Sequence, residues 1–487
     1  MNNKWLSGRL LPLLKRSETW MLIAAVILYA VLLLRSPVIG VADNGDFARV
    51  MGAGGLQYAD AGESHEDRYY RYSHASYAFD GFHIGGYASS QLPFLYIAGM
   101  AGRLFGGLFD IRVLSALYFA FMAAALVLAV KYGKTRSATA NAFLVAALSF
   151  VFLDIGYLAY FNSLFGEPVA LIFLILTTAL AYAIARTEQA SSRLLACFYV
   201  AAAILACTKI QNAPVGVAFA LLGMRFARLK PDKAWRKLAY GGAAVLVCIS
   251  ILMYSVAPGG LKQINLYQTV FYGVLKDSPQ PEKDLEALGL PTDLAVLAGT
   301  NYFQTGTAIP QDDPRLHREV YDVISHMDIL RFYATHPERF LQKLERAAES
   351  GMAVRPYYLG NYEKSVGKPP GTLAYTFSAW SEFKRNHLPH TFGFISLVFA
   401  CYIAVILFHY IRTRDRRLRI SLEVFLLIAA VAAFSLAIPI LGDGEADLGK
   451  HLFLFNVCFD LMLLIMAVYG VRLLLDTGAG AVKRLTK

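Results

Sequence analysis

The stretch 452-LFLFNVCFDLMLLIMAVYGV-471 contains one charged residue, Asp460, and is long enough to cross a bilayer core, which takes roughly 20 residues. Two others read the same way, 21-MLIAAVILYAVLLL-34 and 168-PVALIFLILTTALAYAIA-185. The whole chain agrees with this reading. Of its 487 residues 56% are hydrophobic and 17% charged, and its mean hydropathy is +0.46, outside the usual range for a soluble domain. The expected fold class is an all-α polytopic membrane protein.

The net charge of +11 raises the question of nucleic acid, and its distribution argues against that partner. The basic residues gather in short links between apolar runs: Lys4, Arg9, Lys15 and Arg16; Lys131, Lys134 and Arg136; Arg225 to Lys237; Arg412 to Arg419; Lys483, Arg484 and Lys487. That is the pattern of a positive-inside orientation, with both ends in the cytoplasm and membrane lipids as the surroundings. All five cysteines (Cys197, Cys207, Cys248, Cys401, Cys458) fall in apolar runs without paired spacing in a polar loop, which argues against disulfides and thiolate metal sites. The small triplet Gly40-Val41-Ala42 imitates a signal-peptidase site, but Arg35 interrupts the approach and the basic region is long, so the first apolar run is expected to stay attached.

Taking the basic links as cytoplasmic gives about ten spans under the 20-residue rule: 20–39, 111–130, 137–157, 168–186, 194–210, 212–228, 238–257, 390–411, 419–441 and 451–472. The segment 88–108 is expected to lie along the interface as an amphipathic helix. Three parts follow: an N-terminal transmembrane module, 1–257, with a first exterior loop at 40–90; a small, mostly helical exterior domain, 258–389; and C-terminal helices, 390–487. Within the exterior domain, 336-HPERFLQKLERAAES-350 has helical apolar spacing and a Pro near its start.

The polar residues that suit chemistry sit where spans meet the exterior loops. In 42-ADNGDFAR-49, Asp46 and Arg49 are three residues apart, on one face if a helix starts there. A carboxylate that takes a hydroxyl proton beside a cation that neutralises a leaving phosphate suits sugar transfer. Taken alone, the plainer reading is that Asp43 or Asp46 caps a helix and Arg49 snorkels to headgroups. In 160-YFNSLFGEPV-169, Glu167 precedes Pro168 at a helix start, either as a first-turn carboxylate or, with Asn162 and the aromatics, as part of a sugar site. In 443-DGEADLGKH-451, Asp443, Glu445 and Asp447 alternate as in a Mg²⁺ or Mn²⁺ loop, although such strings are common in solvated turns. Lys450 and His451 at a helix start suit a phosphate. Lys209 and Arg355 are further substrate-binding candidates, each also readable as an interfacial anchor. The aromatic run 69-YYRYSHASYAF-79, with Arg68, Arg71, His65 and His74, reads as an interfacial belt or a headgroup lining. Asp154 and Asp460 lie at membrane depth, where a carboxylate marks function or a bond to a neighbouring helix.

Many spans, an acidic first loop and later exterior carboxylates resemble the GT-C superfamily of membrane glycosyltransferases. The segments 42-ADNGDFARVM-51, 160-YFNSLFGEP-168, 271-FYGVLKDSP-279, 287-ALGLP-291, 355-RPYYLGNY-362 and 442-GDGEADLGKHLFLFN-456 resemble the Wsf-type bacterial hexose transferases of cell-envelope glycan biosynthesis. The resemblance implies a GT-C-like bundle in the bacterial cytoplasmic membrane, with an extracytoplasmic site. It implies a polyprenyl-phosphate-linked hexose as donor, a glycan or lipid hydroxyl as acceptor, and inversion. It makes Asp46, or Asp43, the catalytic base and Glu167 a second acidic site residue, with Arg49 or Lys450 near the phosphate. Competing classes are a transporter or flippase of lipid-linked sugars, a ligase or polymerase of whole glycans, and a non-catalytic scaffold.

Overall fold

The computed structural model describes residues 16–83, 85–104, 108–256 and 258–485. The basic residues Lys4, Arg9, Lys15 and Lys487, and the side chains of Lys483 and Arg484, lie outside that description.

The chain is 69% helical. From the N-terminus, α1 (Ser17–Tyr29) continues through a wider turn over Ala30–Leu34 into the first loop, where α2 (Ala48–Gly54) begins. Three short strands follow, with a helix before the last: β1 (Leu56–Tyr58), β2 (Ser76–Phe79), α3 (Leu92–Leu104) and β3 (Leu108–Asp110). The strands form an antiparallel sheet in the order β1-β2-β3, a feature the all-α expectation lacked. Next come α4 (Ile111–Gly133), α5 (Ala138–Phe152), the one-turn α6 (Ile155–Leu158), α7 (Glu167–Arg186), α8 (Ser192–Ala206), α9 (Ala213–Phe226) and α10 (Lys233–Ser255). The middle segment contributes α11 (Gly259–Thr269), α12 (Pro281–Ala287), α13 (His326–Thr335), α14 (Pro337–Ser350) and α15 (Ala379–His387). The chain closes with α16 (Phe392–Arg412), α17 (Arg416–Asp443), α18 (Leu448–His451) and α19 (Phe453–Leu485).

Seven of these helices are long and apolar enough to span a membrane: α1 with its extension, α4, α7, α10, α16, α17 and the Phe453–Thr477 part of α19. An eighth is reached if α5 and the Ile155–Asn162 segment, bent by 50° against each other, count as one span. The expectation of ten is corrected at 194–210 and 212–228. Those two runs form α8 and α9, of 15 and 14 residues, each too short to cross alone. The 3₁₀ turn Ile210–Asn212 separates them. Segment 88–108 holds a helix of only 13 residues, α3, which packs against α4 and β3.

The links meet at one end of the bundle. Lys134 pairs with Glu18 at 2.6 Å, Arg417 donates to the Thr187 carbonyl at 2.6 Å, Arg416 to the Arg228 carbonyl at 3.0 Å, and Arg225 pairs with Glu423 at 2.6 Å. Four helices that rise from this link end start on a side chain capping a free amide: Ser137 for α5, Ser191 for α8, Asp232 for α10 and Asp415 for α17. At the opposite end lie the first loop, the small sheet, the Glu167 turn, the 442–451 turn and segment 258–389.

Segment 258–389 is helical, as expected. The helix expected over 336–350 is α14, with Pro337 in its first turn. It does not stand apart as a separate domain, because α11, α13 and α14 pack on α17 and α15 packs on α5. Its firmest anchor is buried. Lys384 of α15, 0% exposed, donates to Asp460 at 2.5 Å and to Asn456 at 2.6 Å. The other Asp460 oxygen accepts from the Tyr157 hydroxyl at 2.6 Å and the Trp380 indole at 2.8 Å. Asp154 works alike: it accepts from the amides of Gly156, Trp380 and Ser381 at 2.7, 3.0 and 3.1 Å, capping two helices at once. Both membrane-depth carboxylates are therefore spent on neighbouring helices.

Replacing Lys384 by Met leaves the Asp460 charge buried without its cation. We expect a loss of about 3–5 kcal/mol, read as a lowered unfolding midpoint of the purified protein in detergent.

Candidate functional site

The first loop is shaped before it is charged. Its backbone runs beside residues 360–362: Gly40 and Ala42 donate to the carbonyls of Asn361 and Gly360 at 3.0 and 2.9 Å, and Asn361 donates back to the Gly40 carbonyl at 2.7 Å. From below, the Asn162 amide donates to the Ile39 and Leu33 carbonyls at 2.8 and 3.2 Å. Asn162 is 1% exposed; its amide nitrogen braces the loop, and its Oδ1 has no partner among the described residues. Arg355, also 1% exposed, is committed in the same way. It donates to the Ala374 carbonyl at 2.5 Å, Glu382 at 3.1 Å and Asn361 at 3.3 Å, and stacks on Tyr357 and Tyr375.

Asp43 and Asp46 separate into two roles. Asp43, 1% exposed, accepts from the amides of Gly45 and Phe47 at 2.7 and 3.1 Å and from the Tyr58 hydroxyl at 2.5 Å. Burial raises its pKa, against the pull of Tyr58, those amides and Lys450. Its oxygens are filled by the turn they hold. That turn starts α2 and leaves Asp46 facing outward, with Oδ1 2.9 Å from Arg49 in the expected i, i+3 geometry and Oδ2 on the Lys450 ammonium. Asp46 keeps 19% of its side chain exposed.

Lys450 is 1% exposed as a residue, with its ammonium near the Phe165 ring and 3.3 Å from Asp447. Burial pulls it down to about 7, with Asp43 acting the other way. Asp447 accepts from Asn44 at 2.8 Å and from the Tyr358 hydroxyl. Burial pushes its carboxyl up to about 7; Tyr358 and Lys209 oppose the shift, and Glu167 and Asp443 add to it. Asp447 sits at φ 46°, and Gly444, at φ 61° and ψ −131°, turns the chain where only glycine fits. A Cβ on Gly444 would come within 2.9 Å of Gly273, which pins the 442–451 turn against segment 258–389.

Two further charged contacts complete the cluster. Glu167, 2% exposed at the first turn of α7, pairs with Lys209 at the break between α8 and α9. His451 lies 3.0 Å from Asp443 and 3.1 Å from Gln211; burial first, then Lys450, Lys209 and Arg49, pull it well below its ordinary pKa, so the ring is neutral. Three buried polar atoms around these charges have no partner among the described residues: Glu167 Oε2, Asp443 Oδ1 and the Tyr160 hydroxyl. Buried polar atoms are rarely left so, and a water or a ligand's polar groups would satisfy these three.

The structure thus brings together Asp43, Asp46, Arg49, Glu167, Lys209, Asp443, Asp447, Lys450 and His451. Arg355 is taken up as a brace, and Asn162 braces through its nitrogen while its oxygen stays unpartnered among the described residues. Glu445 also turns away: its carboxylate is held by Lys276 at 2.8 Å and Lys343 at 2.6 Å. The metal reading of Asp443, Glu445 and Asp447 loses its geometry, since the three carboxylates go to three different sets of partners. Among the described residues no group of three His, Cys, Asp or Glu side chains is arranged to hold an ion. Sequence reasoning missed Tyr58, Tyr358, Asn44, Gln211 and Gln91. Gln91 fastens the Glu167 turn by donating to the Leu164 and Phe165 carbonyls at 2.8 and 2.9 Å. Of these, Asn44 and Tyr358 lie inside the quoted stretches 42–51 and 355–362 without being singled out, and Tyr58 is a Tyr in the polar first loop.

The apolar helices and their buried charges define an integral membrane protein. The chain belongs to the family described as the YfdI N-terminal transmembrane domain, whose model matches residues 4–481. No curated protein and no solved structure matches it.

With Lys450 and Asp447 both titrating near 7, lowering the pH protonates the amine and neutralises the carboxyl, and both changes favour an anion. Binding of a simple phosphodiester anion such as dimethyl phosphate, whose own charge is constant in this range, should tighten as pH falls from about 8 to about 6. Lys450→Arg, which stays charged, should remove the lysine's share of that dependence and leave the share carried by Asp447 when affinity is measured by calorimetry.

Proposed function

We propose that the protein is a GT-C type membrane glycosyltransferase that moves a hexose from a polyprenyl-phosphate donor to a hydroxyl of a cell-envelope glycan or lipid, with inversion. In this reading the protein sits in the bacterial cytoplasmic membrane with both termini cytoplasmic and the charge cluster on the extracytoplasmic side. The observation that carries it is the cluster itself: a partly exposed carboxylate, Asp46, between two cations, Arg49 and Lys450, with unpartnered polar atoms of Glu167, Asp443 and Tyr160 beside it.

The chemistry follows from that arrangement. Without donor, Asp46 neutralises Arg49 and Lys450. A donor phosphate takes over those cations and leaves Asp46 more basic, next to where the sugar must lie. The acceptor oxygen then attacks the anomeric carbon while Asp46 takes its proton. The bond from that carbon to the phosphate oxygen breaks, and the polyprenyl phosphate departs with its charge held by Arg49 and Lys450. Glu167 Oε2 and Tyr160 offer bonds to sugar hydroxyls. Asp43 acts as a positioning residue that sets the turn carrying Asp46.

A flippase is favoured by one observation, the 50° bend after α5, since transporters use broken helices at their sites. Asp154 at that bend is bonded to three backbone amides, so its carboxylate is taken up by the fold.

Asp46→Asn should keep the fold and lower transfer from a polyprenyl-phosphate hexose by about 10²–10⁴-fold. Full transfer by the folded variant would remove Asp46 from the base role. Movement of labelled lipid across reconstituted vesicles without a new glycosidic bond would replace the enzyme by a flippase.

A further inference from the structure

At the link end, remote from the charge cluster, a cavity of about 310 Å³ opens between α4, α5, α7, α16, α17 and α19. Its walls are apolar, with Leu148, Ile175, Ala179, Phe425 and Leu464 among them. Its rim is polar: Thr135 from the 131–136 link, His409 bonded to the Tyr469 hydroxyl at 2.8 Å, and Arg472. Thr178, also lining it, has a buried hydroxyl with no partner among the described residues.

Walls this apolar hold water poorly, and in a bilayer the fluid that reaches them is hydrocarbon chain. Its rim adds a charge preference. Arg472 has 59% of its side chain exposed and is only loosely engaged, 3.8 Å from Asp476. Lys134 and Arg136 flank Thr135 in sequence, and Arg412 and Arg414 follow His409; Lys134 is paired with Glu18. Basic pockets between membrane helices at such an end suit anionic headgroups.

We infer that this cavity is a binding site for one anionic glycerophospholipid, with an acyl chain among α7, α17 and α19 and the phosphate on Arg472. The lipid fills the space between helices whose far ends carry Glu167 and the 442–451 turn, so it braces the scaffold from the opposite side. The inference stands apart from the glycosyl-transfer reading and needs no transfer assay.

Native mass spectrometry of the purified protein equilibrated with phosphatidylglycerol or phosphatidylcholine tests it. We expect wild type to retain phosphatidylglycerol about fivefold more, the worth of one basic contact. The exposed change Arg472→Gln, which leaves the core untouched, should erase that preference while some lipid of both kinds remains. Ala179→Phe, checked for folding by its melting curve, should fill the cavity and lower retention of both lipids. Equal retention of the two lipids by wild type, or a preference unchanged in Arg472→Gln, overturns the proposal whatever the fate of the Ala179 variant.

Discussion

A lysine ammonium removed from water must be met by carboxylates, and that requirement organises the end of the bundle where Lys450 lies. Lys450 comes from the start of α18, late in the chain, whereas Asp46, its closest partner, comes from the first loop. Holding the two together means that the loop after α1 and the turn before α19 cannot be arranged independently. Asn361 and Asn162 supply the geometry from above and below, binding the loop backbone at Gly40 and Ile39. The Gly444–Gly273 approach does the same for the turn. Charge fixes which segments meet, and amide hydrogen bonds fix at what angle.

Buried ion pairs serve different ends in this molecule. Lys384–Asp460 is sealed, with both Asp460 oxygens bonded and no exposure. Glu445 with Lys276 and Lys343 fastens the turn to the middle segment. The group around Asp46, Asp447 and Lys450 differs, because Asp46 and Asp447 stay partly exposed and neighbouring polar atoms lack partners. A pair that is complete stabilises the fold; a pair left incomplete invites a ligand.

The membrane character, the gathered basic links and the Asp46–Arg49 spacing were all legible in the sequence, since each depends on composition or on local helical period. The helix over 336–350 was legible for the same reason. What was hidden depends on contacts between distant segments. Nothing in 160-YFNSLFGEP-168 reveals that the Asn162 amide faces backbone carbonyls, and nothing in 443-DGEADLGKH-451 reveals that Glu445 points one way and Asp447 the other. The alternation of acids in that turn suggested a shared ion, but the left-handed Asp447 and the glycine-only Gly444 break the alternation in space. The count of spans failed where hydropathy was high but the chain broke early, at Cys207 and Asn212.

That break has a consequence for the surrounding bilayer. A helix of 15 residues is about 22 Å long, well short of a hydrocarbon core of about 30 Å. With Val200 and Leu221 exposed on α8 and α9, the apolar surface of this hairpin is shorter than the hydrocarbon beside it, a mismatch that costs fractions of a kcal/mol per Å. Lys209 follows the end of α8 and pairs with Glu167, so the short side of the bundle is the side that carries these charges.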